Sequence, residues 1–417
     1  MAEKKAAGFG FAGVLRDLTP EARLFILAVS LSRLTSFMVL PFLTIILNQR
    51  LGVSIVEIGT LFTLGAFAGL AAAPVAGFVA DGMSKRKLMT SAVVLSVFCF
   101  LVLAFVPNFV AYCAAILIMS VAGGVLEPLL RSTLGEFAEN EEQRPALFHI
   151  RYYIVNIAGA VGPLMGLWFV ETGSNALFLI AAASNIFLAY VIAKVAKEPA
   201  AEASQERRGS SLAVLKQVLA HRIFVAVFLS NLLLVIVYSQ TDEPLTFHMI
   251  NSGVQDIARI VTLLTVTNTV VVLVLHGLFM KQIMAMGERL AFVVAIFCLG
   301  AALAMIALNT GQMIWIWVLA IGISTLGEII AMPLFLTIID RSAPEQQRNS
   351  FFGIYMLSNL GGALVPLFSA FAIQAWGGAV LFWGAAFFCL PLAAIGFSAL
   401  KEAVATPEQE GNHCETQ

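Results

Sequence analysis

Residues 196–222 read AKEPAAEASQERRGSSLAVLKQVLAHR, the only long polar stretch inside a chain of 417 residues. Its first part has the composition of a flexible linker. From Ser211 to Arg222, Leu212, Leu215 and Leu219 recur at helical spacing. That pattern fits either a short helix lying on a membrane surface or an inward extension of the next span. On both sides the chain turns apolar. Toward the N-terminus lie runs at about 22–48, 56–80, 87–107, 109–136, 146–170 and 175–196. Toward the C-terminus lie runs at about 223–249, 258–280, 288–309, 312–339, 348–374 and 377–402. A bilayer core about 30 Å thick needs roughly 20 apolar residues per helix, and each run supplies them. The runs are continuous, whereas barrel strands would be short and alternating. The expected fold is an all-α membrane protein of twelve transmembrane helices in two six-helix bundles.

Composition points the same way. Hydrophobic residues make up 60% of the chain and charged residues 12%, against roughly 25% charged in a soluble protein. A formal net charge of −1 leaves no basic excess to replace the counterions of nucleic acid, which excludes it as a partner. The cysteines Cys99, Cys113, Cys298, Cys389 and Cys414 are odd in number and show no metal-ligand or disulfide spacing, so no metal and no cofactor are expected. The first residues are polar and basic, unlike a secretory leader.

Orientation follows from the basic residues, which favour the cytoplasmic side. Nineteen of the 24 Lys and Arg lie in the N-terminus, the even-numbered gaps and the tail; Arg50 and Arg259 alone lie in odd-numbered gaps. Both termini are therefore expected in the cytoplasm. Trp168, Trp315, Trp317, Trp376 and Trp383 then fall near the outer interface, a depth that indoles favour. The resulting organisation is a cytoplasmic N-terminal segment (1–20), a six-helix bundle (21–197), a cytoplasmic linker (198–217), a second bundle (218–402) and a cytoplasmic tail (403–417).

The halves also resemble one another. Residues 136–166 read EFAENEEQRPALFHIRYYIVNIAGAVGPLMG and residues 338–369 read IIDRSAPEQQRNSFFGIYMLSNLGGALVPLFS. Arg144 aligns with Arg348 and Pro163 with Pro366, at offsets of 204 and 203 residues. A six-helix repeat carried in parallel is an architecture of alternating-access carriers, with a site between the halves.

Two motifs carry a family resemblance. Between spans two and three stands Gly77-Phe-Val-Ala-Asp81-Gly-Met-Ser-Lys85-Arg86-Lys87; in span five stands Gly159-Ala-Val-Gly162-Pro163-Leu-Met-Gly166. The first resembles the loop signature G-x-x-x-D-R-x-G-R-K of the major facilitator superfamily, with Gly82 and Ser84 in place of Arg and Gly. The second resembles the superfamily's antiporter motif, which ends in G-P-x-x-G. The resemblance covers essentially residues 20–402 and is most similar to the drug:proton antiporter branch. It implies a conformational latch at Gly77, Asp81, Lys85 and Arg86, and a cavity lined by spans 1, 2, 4, 5, 7, 8, 10 and 11. Spans 3, 6, 9 and 12 would face lipid. The span-four Arg of many drug exporters is missing, since Met119 and Ser120 precede Gly123-Gly124 and the nearest Arg is Arg131. Gly159, Gly162 and Gly166 share one helical face and permit close backbone approach, while Pro163 bends the helix.

Ionisable groups near the bilayer centre cost at least about 2.5–3.5 kcal/mol each and mark pathways or paired sites. Arg33, Glu127, Arg131, Arg151 and Glu328 are so placed, with Asp242 and Glu243 toward the outer end of span seven. Glu127 and Arg131 are four apart and can pair on one helix; Glu127 reads equally as that partner or as a titrating site. Glu328 has no ionisable neighbour within a turn, which makes it the first choice for a proton-coupling carboxylate. A cross-helix pair to Arg33 is its alternative. Asp242 and Glu243 are further coupling candidates, or simply hydrated at the outer mouth. Asn156, Tyr152, Asn231, Tyr238, Gln240, Tyr355 and Asn359, with Arg33, Arg131 and Arg151, are candidate cavity residues. An apolar cavity with sparse polar groups suits a small amphiphilic solute.

The function these readings favour is a proton-coupled secondary transporter in the bacterial inner membrane. It would be a monomer exporting a drug-like, peptide or siderophore solute by alternating access. An importer, for which the embedded arginines would favour an anionic or zwitterionic solute, and a lipid or lysolipid flippase are the alternatives. An enzyme is disfavoured: neither a phosphate-binding loop nor a hydrolase or HExxH arrangement occurs.

Overall fold

Span one begins on a built cap. Thr19 Oγ1 accepts the Ala22 amide at 3.3 Å and Pro20 occupies the first helical turn. In a computed structural model of the chain, residues 18–82, 84–138, 143–195, 218, 220–343 and 348–405 are described. Within these, 73–82, 144–146, 276–284, 342, 348–350 and 398–405 are described by backbone alone. The linker 198–217, most of the candidate surface helix and the terminal segments lie outside the described residues.

Among the described residues, twelve segments are long and apolar enough to cross a membrane. Spans two to six are Ile55–Gly82, Lys85–Phe105, Phe109–Glu136, Gln143–Glu171 and Ala176–Val195. Spans eight, nine, ten and twelve are Ile257–Ala285, Glu288–Leu308, Ile314–Ser342 and Gly378–Ala405. The described residues contain no strand.

Three spans that read as unbroken runs are interrupted. Span one passes from Pro20–Val39 through a 3₁₀ turn, Leu40–Phe42, to Leu43–Leu51. Span seven passes from Arg222–Tyr238 through Ser239–Thr241 to Glu243–Asn251, and span eleven from Arg348–Tyr355 through Met356–Asn359 to Leu360–Trp376. Pro41 and Pro244 lack the amide a continuous α-helix requires, which accounts locally for the first two breaks.

Short polar punctuation separates the spans. Gly52 ends span one at φ +66°, a left-handed conformation that costs glycine nothing. Ser54 and Glu57 then form a reciprocal capping box: the Ser54 amide and hydroxyl donate to Glu57 Oε2, and the Glu57 amide donates to Ser54 Oγ. Ser84 caps span three through the Lys87 amide, and Asn108 caps span four.

The chain resolves into two compact units. One holds residues 1–53 and 64–204, the other 54–63 and 205–417. In the first, span one packs on spans five and six, and span three on four and six. In the second, span seven packs on spans eleven and twelve, and span nine on ten and twelve. Each half thus repeats the neighbour relations of the other, as the internal repeat predicts. The opening of span two, Ser54–Thr63, packs within the second unit, where the Leu367 amide donates to Thr63 Oγ1 at 3.2 Å.

Candidate functional site

Span four carries the centre of the first unit's site. Glu127 and Arg131, one turn apart, pair directly, with Arg131 Nε 2.8 Å from Glu127 Oε1. Arg151 of span five bonds the same oxygen, and Arg33 of span one pairs with the other. Glu127 therefore belongs to three arginines at once, more than either reading of it from sequence supposed. Three guanidinium groups against one carboxylate leave two positive charges in excess. Side-chain exposure is 21% for Arg151, 28% for Glu127 and 32% for Arg33, and rises to 56% at Arg131.

Beside this cluster lies a cavity of about 470 Å³, inside the first unit. Arg33, Glu127 and Arg131 line it, with Ser32, Ser120 and Asn185 as neutral polar groups among aliphatic walls. Ser96 and Phe100 of span three and Asn185 and Leu188 of span six also reach it. Spans three and six therefore border this space as well. Small and neutral polar side chains on their inner faces let the helices border a space beside span one, where Ser32 Oγ donates to Asn185 Oδ1 at 3.3 Å.

Span five seats on span one through its glycines. A Cβ at Gly162 would meet Phe37 Cβ at 2.7 Å and the Leu34 carbonyl at 2.8 Å, and one at Gly166 would overlap the Met38 carbonyl. Gly159 is buried, and Pro163 lies inside the helix between them. This approach brings Arg151 to Glu127. Tyr152 is exposed and stacks edge-on against Tyr153 at 6.0 Å; Asn156 turns back to the Tyr152 carbonyl at 2.8 Å.

In the second unit, Glu328 of span ten is bonded by neutral groups. Asn268 Nδ2 of span eight donates to its Oε2 at 3.2 Å and to Thr325 Oγ1 at 2.9 Å. The Tyr238 hydroxyl lies beside the same carboxyl. Among the described residues no cationic side chain pairs with it. Asp242 and Glu243 flank the break in span seven, Asp242 exposed and Glu243 half-buried. They sit some nine residues before the Asn251 end of that span.

Other candidates serve to join helices. Gln240 is buried, donating to the Ile236 carbonyl and accepting from Ser369 of span eleven at 2.9 Å. Asn231 is buried and donates to Ser358 at 2.6 Å, within the break of span eleven. Tyr355 is buried, and Asn359 is exposed with its amide toward Met356 Sδ. Of the loop motif, Lys85 is buried and bonds Ser132 at 3.0 Å and Glu136 at 2.6 Å, tying span three to the C-terminal end of span four. Arg86 lies in the first turn of span three. Gly77 and Asp81 lie in the span-two helix, and their side chains fall outside the described residues. The helix breaks themselves were missed from sequence, although Leu40-Pro41-Phe42 and Asp242-Glu243-Pro244 carried the signal.

Residues 25–364 match the family model of the major facilitator superfamily. The chain belongs to this superfamily. It is accordingly an integral, multi-pass membrane transporter and not an enzyme. Among relatives, the uncharacterised MFS-type transporter YqjV of Bacillus subtilis is 21% identical over 365 residues, 87% of this chain and 88% of the relative. A Na(+), Li(+), K(+)/H(+) antiporter of Planococcus maritimus is 22% identical, covering 82% of this chain and 87% of the relative. The same fold is seen in a crystal structure of a POT family transporter with a thioalcohol-conjugated peptide. It superposes with a TM-score of 0.77 at 14% identity, over 92% of this chain and 96% of that one. Superfamily membership also accounts for the parallel repeat of helix neighbours and for the glycine-lined seat of span five.

Proposed function

We propose that this chain is a proton-coupled secondary transporter that exports a small amphiphilic organic solute by alternating access. It would act as a monomer in a bacterial cytoplasmic membrane with both termini inside. The observation that carries the reading is Glu328, a carboxyl at membrane depth bonded by Asn268, with Tyr238 beside it and, among the described residues, no cation paired with it. A charged carboxylate there is costly unless paired, so it is suited to take up a proton in one state and give it up in another. Asp242 and Glu243, at the break in span seven, supply a route by which protons reach it. Discontinuous helices in carriers commonly mark such sites. The export direction rests on the glycine–proline pattern of span five and on the antiporter named among the relatives. The driving force available is about 2.3 kcal/mol per charge per 100 mV, plus the pH difference.

The test uses purified protein in proteoliposomes with a pH-reporting dye inside and an imposed pH gradient. A panel of dipeptides, hydroxycarboxylates and aromatic drugs is added in turn. At least one solute is expected to move protons in the wild type, and to move them in the direction of exchange. The same solute is expected to move none in Glu328→Gln, which removes the titrating group and keeps the hydrogen-bonding shape. Undiminished coupled flux in that variant removes Glu328 from the mechanism. Proton movement in the same direction as the solute makes the protein an importer.

A further inference from the structure

The site on span four holds more positive charge than its own carboxylate neutralises, and it opens on a space of ligand size. Guanidinium groups stay ionised under physiological conditions, and each is costly at membrane depth unless it is paired. Glu127 offers two oxygens and both are occupied, one by Arg33 and the other shared by Arg131 and Arg151. Among the described residues no second acid lines the cavity. A satisfied structural network would match acids to bases; this one does not. The cavity volume of about 470 Å³ falls within the range of small-molecule sites. Its walls away from the arginines are aliphatic and aromatic, with Leu40, Leu43, Phe100, Ile116 and Leu188 among them.

We infer that this cavity takes an organic anion: a carboxylate, sulfonate or phosph(on)ate head on Arg33 and Arg131, and an apolar body against spans three and six. Glu127 is the internal counter-ion. In the empty site it holds the guanidinium groups in place, and the incoming anion takes over part of that role, since a planar guanidinium binds such oxyanions through two parallel hydrogen bonds. Arg131, the most exposed of the three, makes first contact. Arg151, the least exposed, stays with Glu127. The inference rests on the carrier reading above and adds the charge of the cargo to it. The same chemistry is presented by a free solute and by an acidic lipid head group.

The test measures thermal unfolding of the protein in nanodiscs of phosphatidylcholine, with three probes that share one body: 4-phenylbutyrate, 4-phenylbutan-1-ol and 4-phenylbutylamine. A ligand of the folded state raises the unfolding midpoint with concentration. The butyrate is expected to raise it and the alcohol and amine are not. In Glu127→Gln the ligand-free midpoint is expected to fall, because three guanidinium groups lose their shared partner. Butyrate should then restore it at roughly tenfold lower concentration, the worth of one charged hydrogen bond. Arg33→Gln should abolish the response. Arg131→Gln, at the exposed edge, should weaken it roughly tenfold and keeps the test open if loss of a buried partner prevents folding. Nanodiscs doped with phosphatidylglycerol separate the sources: a midpoint raised by that lipid alone, and no further by butyrate, assigns the site to a lipid head group. Equal stabilisation by all three probes, no stabilisation by butyrate, or a full response in both arginine variants overturns the inference. Glu328→Gln should leave the butyrate response intact. Undiminished proton-driven flux in that variant, with the response retained, therefore fails the coupling reading and not this one.

Discussion

Asn231 shows how membrane burial ranks single side chains. It is 2% exposed; its amide donates to Ser358, while its Oδ1 has no hydrogen-bond partner among the described residues. A hydrogen bond is worth about 1 kcal/mol net, and an unsatisfied buried acceptor costs a similar amount. Asn231→Leu removes both terms and keeps the volume, so its stability is expected within about 1 kcal/mol of wild type. Asn231→Asp puts a carboxylate in the same place without a cation and should cost several kcal/mol. Unfolding midpoints in detergent separate the two. Equal midpoints would mean that the position is hydrated. Glu127 falls at the other extreme, since its charge is answered three times and only its link to Arg131, one turn away, follows from residue spacing.

At the scale of the element, the closest packing in the first unit is made by absent side chains. Span five can lie on span one because Gly162 and Gly166 present bare backbone to Leu34, Phe37 and Met38. Without a hydrophobic force between helices in lipid, such contact is what binds them. Gly166→Ala is expected to destabilise by about 1–3 kcal/mol, the usual cost of overpacking. It should also weaken the Arg151–Glu127 pair by pushing span five outward. Gly384→Ala in span twelve, where an added Cβ meets nothing within 4 Å, is the control and should be neutral or better. Equal midpoints in the two variants would show that the helices separate without loss. The spans themselves were legible because hydropathy over twenty residues reports directly on the bilayer, and their ends fall within a few residues of the sequence expectation. The breaks in spans one, seven and eleven were not legible in that way, since an apolar run averages over a four-residue turn. Nor could spacing along the chain join Arg33 and Arg151 to Glu127, or bring Asn268 to Glu328, because those contacts depend on which helix faces which.

For the whole molecule, the decisive quantity is the sidedness of charge. Nineteen basic residues in one set of loops and termini against two in the other is a bias large enough to set the orientation of a multi-span chain. Alkaline phosphatase is active only outside the cytoplasm and green fluorescent protein fluoresces only within it, so fusions read the orientation directly. A phosphatase fusion after Gln312, between spans nine and ten, is expected to be active, and one after Asn140, between spans four and five, inactive. Fluorescent protein at the C-terminus should be bright. The opposite pattern at all three points would invert the molecule, and with it the direction assigned to proton flow, since Asp242 and Glu243 would then open toward the cytoplasm. A mixed pattern would instead change the parity of crossings between two fusion points and would break the two-by-six repeat. That repeat is the stronger constraint: the same helix neighbours recur in each unit, and a span lost from one half would leave its partners without the face they pack against.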